Sequence, residues 1–285
     1  MKFKNYSKKP RKDTSTPGEN RTYEGIINTD KKDKAGWVSP VYSDSKTIKV
    51  DPQIAAENRI VGMIADSPEI DFYKILRTQI QHRTKDKGWN TIMVTSVNPG
   101  EGKTLTSINL SITFAKEFNQ TVLLVDSDLM RQNVHKYLGF DNDKGLIDYL
   151  IGDRPLRDFI VWPGIDKLTL ISGGRTIHDS SELLGSPRMK TLIHEMKTRY
   201  SDRYVFFDVP PILGGADAIV LAPLVDSIII VVSEGRTSIH DIKKALQLLP
   251  QEKFLGFVLN RQKYPLATYY YDYKYSYKKP SHKSV

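Results

Sequence analysis

Apolar residues in this chain are grouped into short continuous runs, separated by longer stretches in which they recur at helical spacing. The continuous runs predict strands, at residues 91–95, 121–125, 167–171, 204–207, 227–232 and 254–259. Strands that are apolar throughout are typical of a parallel sheet covered on both faces. Amphipathic segments predict helices between these strands, the clearest of them at 105–118, 186–200 and 238–249.

Another helix is predicted ahead of the first of these strands. Ser67 has the chemistry of an N-cap, Pro68 suits the first helical position, and Glu69 and Asp71 fall in the first turn. Shorter helical pieces are predicted at 145–152 and 156–160. The alternation of strands and helices predicts an α/β domain over 51–263, with a mostly parallel sheet between two layers of helices.

The composition of the chain indicates the cellular compartment in which this domain works. The chain has 285 residues, 39% of them apolar, and no apolar run approaches the roughly 20 residues of a membrane span. Residues 1–30 lack the apolar core of a secretory signal. Because the chain has no cysteine, disulfides and thiolate metal sites are excluded. We expect a cytoplasmic protein.

The positive charge lies outside the predicted domain. Residues 1–50 carry twelve Lys or Arg and six Asp or Glu, and residues 264–285 carry four Lys and one Asp. Since the whole chain has a net charge of +9, the part between them is neutral, which argues against nucleic-acid binding. Residues 1–50 are also poor in large apolar side chains, so we expect them to be mostly disordered. Basic tails contact anionic membranes or acidic partners, or are simply solvated.

A glycine-bearing loop follows the strand at 91–95 and precedes the helix at 105–118, and it reads Ser96-Val97-Asn98-Pro99-Gly100-Glu101-Gly102-Lys103-Thr104. Strand, loop ending in Gly-Lys-Thr, and helix is the order of a nucleotide phosphate site, although Val97 stands where a glycine is usual. Lys103 would reach the β- and γ-phosphates, and the Thr104 hydroxyl would bind Mg²⁺. The alternative is a surface turn that contains Gly-Lys-Thr. The sequence therefore predicts a three-layer α/β/α P-loop NTPase.

Carboxylates stand at the ends of two other predicted strands. Asp126 and Asp128 follow the strand at 121–125, and Asp208 follows the strand at 204–207. The carboxyl ends of strands are where open α/β sheets bind ligands. Two neighbouring carboxylates repel each other unless a cation lies between them. A Mg²⁺–phosphate site would supply this cation. The alternative interpretation, an aspartate that caps a helix N-terminus, would account for only one of Asp126 and Asp128.

The composition changes abruptly after residue 263. Seven tyrosines fall within residues 264–277, and they are Tyr264, Tyr269, Tyr270, Tyr271, Tyr273, Tyr275 and Tyr277. They could form an aromatic edge strand or an adhesive interface. Alternatively, clustered hydroxyl groups on the tail of a nucleotide-binding domain could be its own substrate.

Charged residues three positions apart mark one face of the helix after Ser67. Asp71, Lys74 and Arg77 would form a stripe along this face. The stripe could be a solvated helix surface stabilised by ion pairs, or a surface for self-association.

The chain over about residues 71–261 resembles the bacterial tyrosine kinases, the cytoplasmic autokinases of capsule and exopolysaccharide synthesis. The similar segments are the phosphate loop 96–104, residues 123–128, residues 206–211, residues 181–186, Ala216-Asp217-Ala218, Gly235-Arg236-Thr237 and the tyrosine-rich end. The family loop has Pro-x-Glu-Gly-Lys, which accounts for Val97. Met130 and Gln132 differ from the arginine and proline that are common in the family.

The resemblance implies a role for each matching residue. ATP would be held by Pro99, Gly100, Glu101, Gly102, Lys103, Thr104, Leu105, Asn260 and Arg261, with Asn260 near the adenine. Mg²⁺ would be held by Thr104, Asp126 and Asp208. Lys103, Asp126 and Asp128 would be catalytic, with one of the two aspartates as the base toward a tyrosine hydroxyl. Asp71, Lys74 and Arg77 would correspond to the Glu-x-x-Arg-x-x-Arg helix that forms rings in the family.

The resemblance also implies partners. Other copies of the chain would be phosphorylated within the ring, and a separate membrane protein that sets polysaccharide chain length would recruit the chain to the inner face of the membrane. Two rival functions stay open. One is a partitioning or positioning ATPase switch, a class that carries a lysine early in the loop, near Asn98 here. The other is a nucleotide-gated scaffold for polysaccharide machinery.

Overall fold

The computed structural model describes residues 46–64, 67–141 and 143–263 of the chain. Within them the strands form one eight-stranded sheet in the order β1-β4-β5-β3-β6-β2-β7-β8. Their bounds are β1 Lys46–Thr47, β2 Thr91–Ser96, β3 Thr121–Asp126, β4 Ile160–Trp162, β5 Leu168–Ile171, β6 Arg203–Asp208, β7 Ser227–Ser233 and β8 Phe254–Asn260. All neighbouring strands are parallel except β4 and β5. The mostly parallel sheet is confirmed.

Helices cover both faces of this sheet, as the apolar strands predict. Their bounds are α1 Pro52–Glu57, α2 Ile70–Thr84, α3 Lys103–Ala115, α4 Val134–Leu138, α5 Leu146–Ile151, α6 Ser180–Leu184, α7 Pro187–Thr198, α8 Asp217–Leu221 and α9 Ile239–Gln247. The core on one face includes buried side chains of α1 to α4, and the core on the other includes those of α5 to α9. The result is the three-layer α/β/α arrangement.

Alternate residues of the buried strands point to opposite cores. In β2, Met93 packs into the core that α5 to α9 cover, whereas Ile92 and Val94 pack into the core of α1 to α4. All six residues of β2 and of β3 are buried. Because both faces need apolar side chains, the central strands read as continuous apolar runs in the sequence.

The start of α2 differs from the prediction. The helix begins at Ile70, after a turn formed by Pro68 and Glu69. Ser67 does not cap it, because the Ser67 hydroxyl donates to the Glu69 carboxylate at 2.6 Å instead of accepting from the helix backbone. The expected N-cap at Ser67 is therefore wrong.

Two short strands at one side of the sheet were not predicted. Residues 156–160 were expected to be helical, but a single 3₁₀ turn over Leu156–Phe159 leads into β4. Lys46–Thr47 pairs with β4 and the nearby Val50 is buried, so the sheet begins within the stretch that the sequence assigns to the N-terminal tail. β1 consists of two exposed polar residues, and the apolar run at 159–162 that contains β4 is too short to distinguish a strand from a helix.

In the described part of the chain, no helix combines the length and the apolar character that crossing a membrane requires.

Candidate active site

Three neighbouring strands bring the predicted site residues to one edge of the sheet. β2 leads into the phosphate loop and α3, while β3 and β6 end at Asp126 and Asp208. Asp126 and Asp208 lie opposite each other in the register of β3 and β6. Since β6 lies between β2 and β3, the loop and the carboxylates meet at the carboxyl edge.

Lys103, the first residue of α3, lies among these carboxylates. Its Nζ is 2.8 Å from Asp128 Oδ2 and 3.5 Å from Asp208 Oδ2. The Thr104 hydroxyl donates to Asp208 Oδ2 at 2.7 Å, and the Ser107 hydroxyl lies 3.3 Å from Asp208 Oδ1. The cation that balances Asp128 and Asp208 in this structure is thus the ammonium group of Lys103.

Asp126 has a different environment from Asp128. Its carboxylate is fully buried and accepts three backbone N–H groups, from Asp128 at 3.2 Å, Asn133 at 3.2 Å and Val134 at 3.1 Å. These bonds fold the chain after β3 into the turn that carries Asp128. Asp126 therefore shapes the segment from which Asp128 reaches Lys103.

Burial and charge shift the protonation equilibria of this cluster. Burial alone would lower the pKa of Lys103, but the charges of Asp208 and Asp128 outweigh it and raise this pKa to about 12. Burial and the adjacent Asp208 raise the pKa of Asp126 above its ordinary value. Burial also raises the pKa of Asp208, against the opposing charge of Lys103. The site thus holds more negative charge than its one lysine neutralises.

The phosphate loop depends on glycine at Gly102. This residue has φ of +99°, in the left-handed region, and it stands directly before α3. A Cβ atom at this position would lie 2.0 Å from Nδ2 of Asn260. Any other residue would be strained and would displace Asn260.

Asn260 and Arg261, at the end of β8, hold the loop through its carbonyl groups. Asn260 Nδ2 donates to the Glu101 carbonyl at 2.8 Å, and Arg261 Nη2 donates to the Gly100 carbonyl at 2.8 Å. The structure thus brings both residues to the phosphate loop, and their contacts with a nucleotide, including that of Asn260 with adenine, stay predictions.

The donor set fits a magnesium nucleotide. A hydroxyl and carboxylate oxygens are the hard ligands that Mg²⁺ prefers, and Mg²⁺ in nucleotide sites uses one or two carboxylates together with substrate phosphates. In the described ranges no three His, Asp or Glu side chains form a ready-made metal site. Thr104 and Asp208 would therefore hold Mg²⁺ with the phosphates of a bound nucleotide.

Sequence similarity places this site in a known family. A protein-family model described as an AAA domain matches residues 89–253. Tyrosine-protein kinase YwqD of Bacillus subtilis (strain 168) is 34% identical over 193 residues, which cover 67% of this chain and 80% of YwqD. The chain belongs to the bacterial tyrosine kinases. It also matches the putative tyrosine-protein kinase EpsB of Ralstonia nicotianae, at 34% identity over 65% of this chain, but it spans only 24% of that longer relative.

Solved structures share the fold of this chain. The kinase domain of the Escherichia coli tyrosine kinase ETK superposes with a TM-score of 0.64 and 26% identity, covering 79% of this chain and 93% of that domain. The septum site-determining protein MinD of Pyrococcus horikoshii OT3, solved with Mg-ADP, superposes with a TM-score of 0.52 and 26% identity, over 61% of this chain and 71% of MinD. The P-loop NTPase fold is confirmed.

In this tyrosine kinase the charged stripe on α2 is only partly exposed. Lys74 and Asp71 form an ion pair of 2.9 Å one turn apart. Arg77 instead turns toward α3, where it contacts the Glu117 carboxylate at 2.6 Å and the Thr113 carbonyl at 2.9 Å. The expectation that Arg77 shares the exposed stripe is wrong, because Glu117 and an unpaired helix-end carbonyl provide better partners than water.

The tyrosines Tyr264, Tyr269, Tyr270, Tyr271, Tyr273, Tyr275 and Tyr277 lie outside the described residues. The chain is described as far as Lys263, whose backbone N–H donates to the Glu234 carboxylate at 2.7 Å. This bond holds the residue before the tyrosine-rich segment beside the end of β7.

Two contacts beside this kinase site were not foreseen. Ser107 lies four residues after Lys103, so it shares the same face of α3 and reaches Asp208. That spacing could have revealed it. Thr237 contacts Glu101 across a separation of 136 residues, and only the neighbouring positions of β2 and β7 bring the two together.

Proposed function

We propose that this chain is an ATP-dependent protein-tyrosine autokinase that phosphorylates its own C-terminal tyrosines. The observation that carries the proposal is the position of Lys103, between Asp128 and Asp208 at the end of the phosphate loop. This arrangement places a phosphate-binding cation next to a carboxylate that can accept a proton.

Binding of ATP would use the loop and the start of α3. The residues concerned are Pro99, Gly100, Glu101, Gly102, Lys103, Thr104 and Leu105, with Asn260 and Arg261 beside them. Backbone N–H groups at a helix N-terminus and the ammonium of Lys103 suit the triphosphate. When bound, Mg·ATP supplies the phosphoryl group and the divalent charge that stabilises its transfer.

We assign the role of base to Asp128. A tyrosine hydroxyl has an ordinary pKa near 10, so it must give up its proton as the phosphoryl group is transferred. Both oxygens of Asp126 already accept backbone N–H groups inside the protein, which leaves Asp126 a positioning role. Asp128 Oδ2 faces Lys103 and becomes available when Lys103 turns to the phosphates.

Two features favour a kinase over a partitioning switch. Asn98 stands near the position where the switch ATPases carry an early lysine. The cluster of seven tyrosines within residues 264–277 has no use in a switch that only hydrolyses ATP.

We further propose that the kinase regulates capsular or exopolysaccharide synthesis and export. The family resemblance supports this role, together with recruitment to the inner face of the membrane by a separate chain-length determinant protein. It also supports assembly into a ring, with trans-phosphorylation between copies. In such a ring the partly exposed Asp71–Lys74 pair on α2 would face a neighbour, and Arg77 would support the helix from within.

The test is incubation of the full chain with Mg·ATP, followed by intact mass and peptide mapping. Wild-type protein should gain several phosphates, all within residues 264–277. Lys103→Met should gain none. Lys190→Met is the matched control, because Lys190 is an exposed lysine of α7 and should leave phosphorylation unchanged. Wild-type protein that binds ATP but gains no phosphate on tyrosine would overturn the kinase proposal.

Phosphorylation should also loosen the assembly. Each phosphate adds roughly −1.5 to −2 charges. Several phosphates would therefore make the net charge of residues 264–285 negative, where it is now +3. Light scattering should therefore give a smaller mass for the phosphorylated sample than for Lys103→Met. Equal masses would contradict this expectation.

A further inference from the structure

The segment Gly235-Arg236-Thr237 has no role in the chemistry described so far. It forms the turn between β7 and α9, and β7 lies directly beside β2 in the sheet. Because parallel neighbours end at the same edge, this turn lies against the phosphate loop that follows β2. Thr237 is the residue of the turn that contacts the loop.

The hydroxyl of Thr237 makes two hydrogen bonds of fixed direction. It accepts the backbone N–H of Ser233 at 2.8 Å, which closes the turn after β7. The hydroxyl also contacts Glu101 Oε1 in the phosphate loop. Since an ionised carboxylate can only accept, the single proton of Thr237 must be donated to Glu101.

Glu101 transmits this contact to the loop. Its side chain is buried, with 4% exposed, and its second oxygen accepts the backbone N–H of Asn98 at 2.9 Å. The Asn98 carbonyl in turn accepts the Ser96 hydroxyl at 2.9 Å. One carboxylate therefore ties the first half of the loop to the turn after β7, two residues before Lys103.

We propose that Thr237 is a positioning residue that holds the phosphate loop in its nucleotide-binding shape through Glu101. Thr237 acts on the loop and not on the reacting atoms. The inference rests on the proposed nucleotide site, and it adds a determinant of ATP affinity outside the phosphate loop and the aspartates of β3 and β6. Without the proton of Thr237, a buried carboxylate loses a donor and the loop relaxes toward other partners.

The test compares Thr237→Val with Thr237→Ser by calorimetric titration of ADP and ATP. Valine keeps the shape and removes both hydrogen bonds, so nucleotide affinity should fall about tenfold, the size of one hydrogen bond to a charged group. Serine keeps the hydroxyl and should stay within about twofold of wild type. KM for ATP should rise with the dissociation constant, while kcat at saturating ATP should change less than about threefold. Thr191→Val is the control, because its exposed hydroxyl bonds only within α7.

A merely structural role gives a different result. Thr237→Val would then lower the melting temperature with the nucleotide affinity unchanged, and that outcome overturns the proposal. Glu101→Ala provides a second route, because alanine removes the carboxylate through which Thr237 would act. The double variant Glu101→Ala with Thr237→Val should bind nucleotide no worse than Glu101→Ala alone, whereas additive losses would contradict the coupling.

Failure of the kinase proposal can be told apart from failure of this one. Nucleotide affinity is measured without any phosphoryl transfer to tyrosine. A chain that binds ATP more weakly as Thr237→Val, yet never phosphorylates tyrosine, would support the positioning role and overturn the kinase. If the wild type phosphorylates tyrosine and Thr237→Val binds ATP as tightly as the wild type does, the kinase proposal is supported and the positioning role is overturned.

Discussion

The two edges of the central sheet both use aspartates, with opposite consequences. At the carboxyl edge, Asp208 ends β6 among Asp126, Asp128 and a single lysine. At the amino edge, Asp226 stands directly before β7, where its carboxylate accepts the N–H groups of Asn90 at 3.0 Å and Thr91 at 3.1 Å. It also accepts the Thr91 hydroxyl at 2.9 Å and contacts the ammonium group of Lys197.

The pKa values of these aspartates shift in opposite directions. Burial raises the pKa of Asp208, and the charge of Lys103 only partly offsets it. Burial would also raise the pKa of Asp226, but hydrogen bonds from Lys197, Asn90 and Thr91 outweigh it and hold this pKa below its ordinary value. The amino edge therefore uses its carboxylate for stability, whereas the carboxyl edge keeps charge in excess, ready for a metal and phosphates.

The largest effect should follow from Asp128→Asn at the carboxyl edge. Loss of a general base lowers rates by roughly 10²- to 10⁴-fold, and the single-turnover rate of tyrosine phosphorylation at saturating Mg·ATP should fall in this range. Thermal stability should change little, because Lys103 keeps Asp208 as a partner. Asp158→Asn is the control, since Asp158 belongs to an ion pair with Arg154 on the protein surface. A rate within threefold of wild type would remove Asp128 from the mechanism.

The next effect should be the loss of stability in Asp226→Asn. The bonds from Asn90 and Thr91 all reach one oxygen, Oδ2, which the amide oxygen of asparagine can replace, but without the charge that strengthens them. The amide NH₂ group would then face the Lys197 ammonium in place of Oδ1, so the ion pair is lost. We expect a loss of about 2 kcal/mol in the free energy of unfolding at pH 7, measured by urea titration. Phosphorylation at a temperature well below melting should be unchanged. Glu195→Gln, which breaks an exposed ion pair with Arg199, should cost less than 0.5 kcal/mol.

The sequence predicts which residues meet at the carboxyl edge of the sheet, but not which residues meet at the amino edge. Asp126, Asp128 and Asp208 could be placed together because each follows an apolar run, and the ends of parallel strands meet at one edge. The partners of Asp226 could not be predicted. Thr91 and Asp226 are 135 residues apart and meet only because β2 and β7 are neighbours. Strand order is decided by helix packing and crossover connections, which an apolar pattern does not record.

The same limit applies within the fold. The central strands β2, β3 and β6 are buried on both faces and leave clear apolar runs, so the sequence predicts them. β1 has only two residues, both polar, and the apolar run that contains β4 is too short to be told from a helical turn. Arg77 was misplaced because its spacing with Asp71 and Lys74 indicates a common face, while its partner Glu117 lies on the segment after α3.

A smaller effect should appear in the pH dependence of stability. Because the folded-state pKa of Asp226 is lowered, its contribution is present above the unfolded-state pKa near 3.9 and is lost as pH falls through the folded-state pKa. Urea titrations of wild type and Asp226→Asn should therefore differ at pH 7, and this difference should shrink as the pH falls below about 4. A difference that stays constant down to pH 3 would mean that Asp226 stabilises by shape and not by charge.

The smallest effect on stability should come from Asp208→Asn, and it should be a gain where Asp226→Asn gives a loss. The free energy of unfolding would be measured without nucleotide and with a metal chelator. The Asp208 partners Thr104 and Ser107 bond through hydroxyl groups, which can turn to accept from an amide as readily as they donate to a carboxylate. The third partner, Lys103, keeps the shorter ion pair of 2.8 Å with Asp128. The substitution also removes a buried like charge beside Asp126, so the free energy of unfolding should rise by about 1 kcal/mol while phosphorylation is lost. If Asp208→Asn instead destabilises the protein as much as Asp226→Asn does, the carboxyl edge holds no excess charge, and the two edges do not differ in the way that their pKa shifts indicate.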